Sequence, residues 1–341
     1  VVVTSGGLGP TEDDITKEVI SNSLALDLEL DESHVDWMKE RWKSRGLIMP
    51  ETNIKQAYIP VGSKKLINTQ GTAPGIRISK NDKEIFIFPG PPREFIPLVE
   101  DELLPYLAEN FEKNDTDYQF VMLFNQAESS LAAEIDKFKP EGLDIAYLAS
   151  RGIIKLRFDR NSVSKSDFDI FINKIDEIFS DDILAYENIS VEKALGSLVA
   201  KNDIKVSFVE SITGGLLSSL LVKNPGISKY FIGSDVVYGN QAKSILLNDN
   251  DIDFENWEEL CINLTHSSLE KYKTDICLTI LGEAGPLSSS KYSVGTIFIC
   301  ISNGDKTVIT DHKMNGNREE ILQRSANKAQ WELIKFIKNL Y

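Results

Sequence analysis

The hexapeptide Glu210-Ser211-Ile212-Thr213-Gly214-Gly215 organises the second half of this 341-residue chain. It follows residues 205–209, an apolar-rich run with β character, and it precedes residues 216–222, which have the pattern of a helix start. We therefore predict a tight turn that connects a strand to a helix.

A strand-to-helix turn of this kind favours chemistry. The N–H groups of a first helical turn attract anions, and the adjacent Gly214 and Gly215 let a ligand approach the backbone closely. A hydroxyl at Ser211 beside such donors has the arrangement that acyl-transfer and amide-hydrolysing enzymes need. The alternative is that Ser211 or Thr213 is an ordinary N-cap, since the pattern differs from the G-x-S-x-G elbow.

The segment downstream offers a base for this serine. Residues 224–226 turn the chain, residues 230–237 return to the sheet, and residues 238–243 open another helix. Lys243 can take the serine proton if burial lowers its pKa, and Tyr238 can relay or orient that proton. The alternative is a packed ring and a solvated amine.

These words resemble those of a known family. The C-terminal domain of the competence/damage-inducible CinA family has E-S-x-T-G-G, P-G-S-S-x-Y-F and Y-S-N-E-x-K; this chain has ESITGG at 210–215, PGISKYF at 225–231 and YGNQAK at 238–243. That domain is similar to nicotinamide-nucleotide amidohydrolases. The resemblance implies that Ser211 is the nucleophile, that Tyr238 and Lys243 activate it, and that no cofactor is needed. It implies substrate contacts from Thr213, Gly214, Gly215, Asn240, Gly285 and Arg318.

Length, charge and cysteine usage bound the class of protein. A chain of 341 residues predicts two or three domains. The net charge of −15 leaves no basic stripe for nucleic acid and disfavours anionic membranes. No apolar run approaches the roughly 20 residues that span a bilayer, and no signal peptide is evident. Three isolated cysteines, Cys261, Cys277 and Cys300, argue against zinc and disulfides, so we expect a cytoplasmic protein.

The first residues predict a second ligand site. Residues 1–5 predict a buried parallel strand, and residues 6–16 lead from it into a helix that extends to about Leu26. A glycine-rich turn at Gly6, Gly7 and Gly9 is where phosphates bind. The acidic pair Asp13 and Asp14 suggests a bridging Mg²⁺, or simply the preference of acidic residues for a helix N-terminus.

The words GGLGPTEDDIT at 6–16 also resemble a family. They are similar to the nucleotide- and molybdopterin-binding domain shared by CinA and the MoaB/MogA-like proteins. The resemblance implies that Asp14 binds the metal or substrate and that Gly71, Gly75 and Gly90 line the nucleotide site. Because the chain begins at Val1 in a strand-like run, we expect a fragment of a longer protein.

Two further predictions concern this first domain. Val35, Met38 and Trp42 lie on one face of a helix capped by Asp31, so we interpret them as core or interdomain packing. Arg93 is expected either to meet a phosphate or to form a surface salt bridge.

The domain organisation and fold class follow from these patterns. We predict an α/β protein with an incomplete three-layer α/β/α domain at 1–112, a small α+β module at 117–187 that resembles the KH-like module of the family, and a three-layer α/β/α domain at 190–341. In the middle module Ser166 is predicted to cap a helix. The family resemblance implies a homodimer.

One loop departs from the family pattern. The family has [ST]-G-I-A-G-P-G-G-G, whereas residues 281–290 read LGEAGPLSSS, with Leu281 in place of a hydroxyl and a new carboxylate at Glu283. A negative charge near a substrate phosphate is unfavourable. Arg318 in the sequence GNR resembles the family's G-D-R and is expected to reach the ligand.

Three hypotheses of function result. The resemblance implies that the C-terminal domain hydrolyses the carboxamide of nicotinamide mononucleotide to nicotinate mononucleotide and ammonia, while the first domain binds or, with Mg²⁺, cleaves a nucleotide diphosphate such as ADP-ribose. The altered loop motivates a catalytically silent nucleotide-binding or scaffold protein instead. A molybdopterin-binding protein is the third hypothesis and depends on the first domain alone.

Overall fold

The chain forms two compact units, Val1–Asn114 and Asp115–Tyr341. The structure is a computed structural model that describes residues 1–112, 116–124, 126–150, 152–249, 251–288 and 290–340. Both units combine helices with β-sheets, so the predicted α/β class is confirmed.

The first unit contains a four-stranded sheet and a small two-stranded one. Its strands are β1 (Val2–Ser5), β2 (Leu28–Leu30), β3 (Tyr58–Pro60), β4 (Lys64–Leu66), β5 (Gly75–Lys80) and β6 (Lys83–Phe88). Its helices are α1 (Thr16–Ser23), α2 (Glu32–Lys43), α3 (Pro92–Leu98) and α4 (Leu104–Asn110), with a π-helical turn between α3 and α4.

The larger sheet of this unit lies between two helical layers. Its order is β1-β6-β5-β4, with β1 parallel to β6 and the other pairs antiparallel. Alternate residues of β6 face opposite layers: Ile85 and Ile87 pack in the cluster that includes Ile20 of α1, whereas Phe86 and Phe88 pack in the cluster of α3 and α4. The strand therefore reads as a continuous apolar run.

Two predictions for the first unit are corrected. The strand at the start of the chain is parallel, as expected, but Val1, Val2 and Val3 are between 43% and 51% exposed rather than buried. The reason is that β1 is at the edge of the described sheet, with β6 as its neighbour. Helix α1 ends at Ser23, three residues before the predicted end. The Asp31 cap is confirmed, since its carboxylate accepts the His34 N–H at 3.0 Å.

The second unit begins with an antiparallel sheet in the order β10-β7-β9-β8. Its elements are β7 (Tyr118–Phe124), α5 (Glu128–Ile135), β8 (Ile145–Ser150), β9 (Ile153–Asp159), α6 (Lys165–Phe179) and β10 (Ile183–Ala185). Burial alternates along β9, where Ile154, Leu156 and Phe158 are buried against α5 and α6. The predicted cap at Ser166 is wrong: Ser164 accepts the Asp167 N–H and α6 starts one residue later.

A five-stranded sheet follows in the same unit, in the order β12-β11-β13-β14-β15. Its strands are β11 (Val206–Glu210), β12 (Phe231–Val236), β13 (Ile276–Gly282), β14 (Thr296–Ser302) and β15 (Thr307–Lys313). The helices are α7 (Val191–Lys201), α8 (Leu216–Leu221), α9 (Asn240–Leu247), α10 (Trp257–Tyr272) and α11 (Arg318–Lys338). β11 is parallel to β12 and β13, and the remaining pairs are antiparallel.

Helices cover both faces of this sheet. Val206 and Phe208 of β11 pack in the cluster formed with α7, α8 and α11, while Val209 packs in the cluster formed with α9 and α10. α11 begins with a capping box, in which the Asn317 side chain accepts the Glu320 N–H and the Glu320 carboxylate accepts the Asn317 N–H. The result is a three-layer α/β/α arrangement.

The two sheets of the second unit share a core. Trp331 of α11 stacks on Phe124 of β7, with ring centroids 5.2 Å apart and planes 5° apart. Met122 of β7 and Leu184 of β10 belong to the same buried cluster as α7 and α11. The predicted boundary between the middle and last domains, at 187–190, therefore lies inside one compact unit.

None of the described helices combines the length and apolarity needed to cross a lipid bilayer.

Candidate functional site

A cavity of about 290 Å³ lies where β11 and β13 end side by side. Parallel neighbours place the loops after their carboxyl ends at the same edge of the sheet, which is where α/β sheets bind ligands. The lining includes the three residues of the predicted catalytic group. In full it consists of Ser211, Ile212, Tyr238, Asn240, Lys243, Phe254, Glu255, Trp257, Leu260, Leu281, Gly282, Glu283, Ala284, Ser290 and Arg318.

Ser211 is fixed by its backbone and has an unengaged side chain. Its N–H donates to the Ile280 carbonyl of β13 at 3.0 Å, which ties the end of β11 to the neighbouring strand. The residue is 7% exposed, and its hydroxyl has no hydrogen-bond partner among the described residues. The hydroxyl is thus held at the cavity without a competing partner.

Lys243 brings an amine to the same cavity from helix α9. The residue is only 8% exposed, and its Nζ donates to Asn240 Oδ1 at 3.1 Å. Burial disfavours the ammonium form and lowers the pKa of Lys243 below its ordinary value. A larger share of this amine is therefore neutral near physiological pH than for a lysine at the surface.

Tyr238 and Arg318 form the outer part of the cavity. Tyr238 is 59% exposed, and its hydroxyl accepts a hydrogen bond from Arg318 Nη2 at 2.7 Å. Arg318 Nη1 donates to the Gly285 carbonyl. Within the described chain no direct hydrogen bond joins Ser211, Tyr238 and Lys243, so the structure gathers them around one space rather than into a bonded triad.

The carboxylate of Glu210 occupies the N-terminus of α8. It is fully buried and accepts the N–H groups of Gly215, Leu217 and Ser218 at 2.8 to 3.0 Å, and the Thr213 hydroxyl at 2.7 Å. These donors were predicted to be available to an anion or oxyanion. That prediction is wrong, because Glu210 already supplies the negative charge that the helix end attracts.

The other residues of the turn are placed differently from the prediction as well. Gly214 donates its N–H to the Ser211 carbonyl at 3.1 Å, and Thr213, Gly214 and Gly215 are absent from the described cavity lining. The alternative N-cap role is also wrong: the cap of α8 is Gly215, with φ at 100° and no side-chain hydrogen bond. Of the predicted substrate contacts, Asn240 and Arg318 line the cavity. Gly285 is absent from the described lining, and its carbonyl accepts a hydrogen bond from Arg318.

Different backbone donors lie beside the serine. The N–H groups of Ile212 and Thr213 have no acceptor in the described part of the chain, and Ile212 lines the cavity. An N–H directly after a nucleophile is a frequent oxyanion donor. Of the two, the Ile212 N–H lies at the cavity and replaces the Gly214 and Gly215 donors as the candidate.

The altered loop after β13 shapes the cavity floor without filling it. Leu281 is buried in the sheet core beside α10, and Glu283 lines the cavity at 9% exposure and accepts from Ser290 Oγ at 3.4 Å. A Cβ on Gly282 would lie 2.8 Å from Ile212 Cδ1, so only glycine fits between the loop and the residue after Ser211. The predicted Ser289 position falls outside the described residues.

A second cavity, of about 480 Å³, lies in the first unit. It brings together Gly6, Gly7, Gly9, Asp14, Gly71 and Gly90 of the predicted nucleotide site. Arg41, Arg45 and Arg93 also line it, so a predominantly acidic protein places three cations around one glycine-rich loop. This combination suits a phosphorylated ligand.

Three predictions for this cavity are corrected. Asp13 is absent from the described lining, and its carboxylate accepts the Thr11 hydroxyl at 2.5 Å. Gly75 is buried in β5, where an added Cβ would meet Leu66 at 3.1 Å, so its role is packing. Trp42 lines the cavity and is not a core residue like Val35 and Met38.

Two family models match this chain, one within each compact unit. Residues 188–337 match the family model "CinA C-terminal domain", and residues 1–109 match "Probable molybdopterin binding domain". A CinA-like protein from Syntrophomonas wolfei is 31% identical over 99% of this chain and 85% of its own length. A CinA-like protein from Dictyoglomus thermophilum is 33% identical over 94% of this chain and 80% of its own length.

This chain belongs to the CinA-like family. Among solved structures, a CinA superfamily protein from Klebsiella pneumoniae matches 44% of this chain and 96% of its own, with 17% identity and a TM-score of 0.42.

Two carboxylates of this CinA-like chain line the first cavity, where Mg²⁺ was expected: Asp14 and Glu94, and Glu94 accepts from Asn68 Nδ2 at 2.8 Å. Asp14 lines the first cavity, and the Thr11 hydroxyl and backbone N–H bonds to its carboxylate lower its pKa. The described residues contain no group of three His, Cys, Asp or Glu side chains that could hold a metal. Asp14 suits an Mg²⁺ that obtains its other ligands from substrate phosphates and water, and it does not suit a resident metal.

Some lining residues of the CinA-like chain escaped the sequence analysis. Arg41 and Arg45 are one helical turn apart on or just after α2, a spacing that places both on one face and could have revealed them. Phe254, from the acidic segment before α10, and Trp257, the first residue of α10, also line the Ser211 cavity, and no motif there indicated a site.

Proposed function

We propose that the Ser211 cavity hydrolyses the carboxamide of nicotinamide mononucleotide to nicotinate mononucleotide and ammonia. The observation that carries the proposal is a buried lysine of lowered pKa and a serine hydroxyl that has no hydrogen-bond partner in the described part of the chain, around one cavity. The cavity is near the lower end of the range for small-molecule sites, roughly 300 Å³, which suits a single mononucleotide.

The chemistry assigns one role to each side chain. Neutral Lys243 leaves Asn240 and takes the Ser211 proton while the serine oxygen attacks the amide carbon. The N–H group of Ile212, which lines the cavity, stabilises the oxyanion. The protonated lysine returns its proton to the leaving nitrogen, ammonia departs, and water hydrolyses the acyl-enzyme to release the carboxylate and regenerate Ser211. Arg318, held by Tyr238 at the mouth, binds the phosphate.

The test is ammonia release from nicotinamide mononucleotide by Ser211→Ala. We expect a loss of at least about 1000-fold in kcat/KM, the range for removal of a nucleophile. Ser219→Ala is the matched control, since Ser219 is an exposed serine of α8 outside the described cavity lining. Undiminished turnover in Ser211→Ala would show that Ser211 is not the nucleophile. Binding without turnover by the wild-type protein would favour the silent, scaffold-type alternative.

A second candidate function belongs to the first unit. Three arginines and a glycine loop around 480 Å³ support binding of a nucleotide diphosphate such as ADP-ribose, with Mg²⁺ entering with the phosphates. Calorimetry should show that Arg45→Ala weakens ADP-ribose binding about tenfold, the effect of one lost charge-assisted contact. Lys39→Ala, on α2 and outside the described lining, should bind like wild type. Equal affinity in the two variants contradicts the assignment, and tighter binding of a pterin would favour the molybdopterin hypothesis.

A further inference from the structure

We propose that Glu283 makes the Ser211 cavity selective for a carboxamide carried by a cationic ring, so that it takes oxidised pyridinium mononucleotides in preference to their neutral reduced forms. The inference depends on the proposed function and specifies the substrate form that this site accepts. It concerns a carboxylate that lies where the family pattern has an apolar residue.

Backbone contacts between β13 and the Ser211 turn place Glu283 at the same cavity as Ser211. The N–H of Ser211 is bound to the Ile280 carbonyl of β13, and Gly282 near the end of that strand packs against the Ile212 side chain. Glu283 is the next residue, and it lines the same cavity as Ser211. A group whose amide reaches Ser211 therefore has its ring near this carboxylate.

The charged side chains of the described lining differ in exposure: Glu283 and Lys243 are buried, whereas Arg318 and Glu255 are exposed. Arg318 donates to the Tyr238 hydroxyl at the mouth. Nicotinamide mononucleotide carries a permanent positive charge on its ring nitrogen and a negative charge on its phosphate. A ring placed beside Glu283 and a phosphate placed beside Arg318 would match these two charges, with Lys243 neutral as in the proposed mechanism.

The cavity also has an aromatic wall. Trp257 lines it and packs on Tyr292 with ring centroids 4.3 Å apart. Aromatic faces attract cations, and the attraction grows when water is excluded. Trp257 and Glu283 thus favour the same feature of the ligand, a positive ring.

The Glu283 carboxylate acts on a different part of the ligand from the phosphate. A negative group beside the substrate phosphate would weaken binding, but Glu283 is buried, and the phosphate donor Arg318 is exposed. The new charge therefore acts on the ring rather than on the phosphate.

The test compares two ligands that differ in ring charge. Oxidised and reduced nicotinamide mononucleotide share the carboxamide, ribose and phosphate, and only the oxidised ring is cationic. Calorimetry on Ser211→Ala, which prevents turnover, should show at least about tenfold tighter binding of the oxidised form. Adding Glu283→Gln should reduce that ratio to about twofold or less, and Glu283→Asp should retain part of it.

The control and the outcomes separate this inference from the proposed function. Glu258→Gln removes one exposed carboxylate from α10 outside the described lining and should leave the ratio unchanged. Equal binding of the two ligands by Ser211→Ala overturns the inference, even if Glu283→Gln fails to fold. An unchanged ratio in Glu283→Gln also overturns it, while turnover of nicotinamide mononucleotide by the wild-type protein would still support the proposed function. If the wild-type protein neither binds nor hydrolyses the mononucleotide, both fail.

Discussion

Lys243 is buried in the Ser211 cavity, and the loss of solvation lowers its pKa. A lysine accepts a proton only when it is neutral, so kcat/KM for nicotinamide mononucleotide should rise with pH through the lowered pKa and level off above it. Lys243→Arg should lose about 100-fold or more, because a guanidinium stays protonated. A pH–rate profile measures both effects.

The matched control for this profile is Lys271→Arg. Lys271 is paired with Asp235, and that pairing raises its pKa, so the substitution should leave the profile as it is. A profile of the wild-type protein that is flat from neutral to alkaline pH would contradict a role for Lys243 as the base.

At the scale of single residues, the sequence predicted which residues share the cavity, but it did not predict their hydrogen-bond partners. Ser211, Tyr238 and Lys243 were predicted as one group, and they line one cavity. What could not be predicted is which donor each acceptor takes. Glu210 adjoins the predicted nucleophile in sequence, yet its carboxylate turns to α8, because five donors of that helix start and turn converge on it.

The element that supports the site is the strand, turn and helix of residues 206–221. Glu210→Gln should destabilise it, since an amide has one acceptor oxygen and would present its NH₂ to backbone donors. We expect a loss of about 2–4 kcal/mol in the free energy of unfolding, for several buried hydrogen bonds to a charged acceptor. Urea denaturation measures it.

Ser234→Ala is the control for this element. Its hydroxyl is 3.5 Å from Glu210 Oε1, at the limit of a hydrogen bond, so removal should cost about 0.5 kcal/mol or less. Equal stability of Glu210→Gln and wild type would show that the carboxylate does not organise the turn.

Elements with a strong period were predicted, and elements without one were not. β9 alternates between buried and half-buried residues, and α11 has an unbroken helical pattern, so both are visible in the sequence. α10 was missed because its segment begins in an acidic stretch, and its buried face becomes clear only once Trp257, Leu260 and Leu264 pack under the sheet. β15 was missed because its edge position leaves its residues mostly half-buried, without a clear apolar face.

At the scale of the whole second unit, the stack of Trp331 on Phe124 joins the two sheets. Trp331→Ala should destabilise the unit by about 3–5 kcal/mol, as expected for a large buried aromatic residue. It should also separate the unfolding of the two sheets into distinct transitions, because a shared core is what makes them unfold together. Thermal unfolding followed by calorimetry tests this expectation.

Trp331→Phe is the matched variant. It keeps a ring on Phe124 and removes an indole N–H that is buried without an acceptor among the described residues, so the cost should be about 1 kcal/mol. If Trp331→Ala unfolds in one transition with little loss of stability, the shared core does not couple the sheets.

The predicted domain pattern illustrates what a sequence lacks at this scale. The change from the middle module to the last domain is visible as a change of pattern near residue 188, but the packing of Met122 and Phe124 against α11 depends on contacts some 200 residues apart in sequence. The same holds for the arginines of the first cavity, which no local motif announced.

The carboxylate at the start of α8 has a consequence for how a substrate is received. Many phosphate-binding loops acquire their shape from the ligand, whereas this turn carries its own counter-charge and keeps the nucleophile in position before anything arrives. The entropic cost of ordering the reactive backbone is thus met during folding. The binding free energy of the rest of the ligand can then stabilise the transition state instead of ordering this turn.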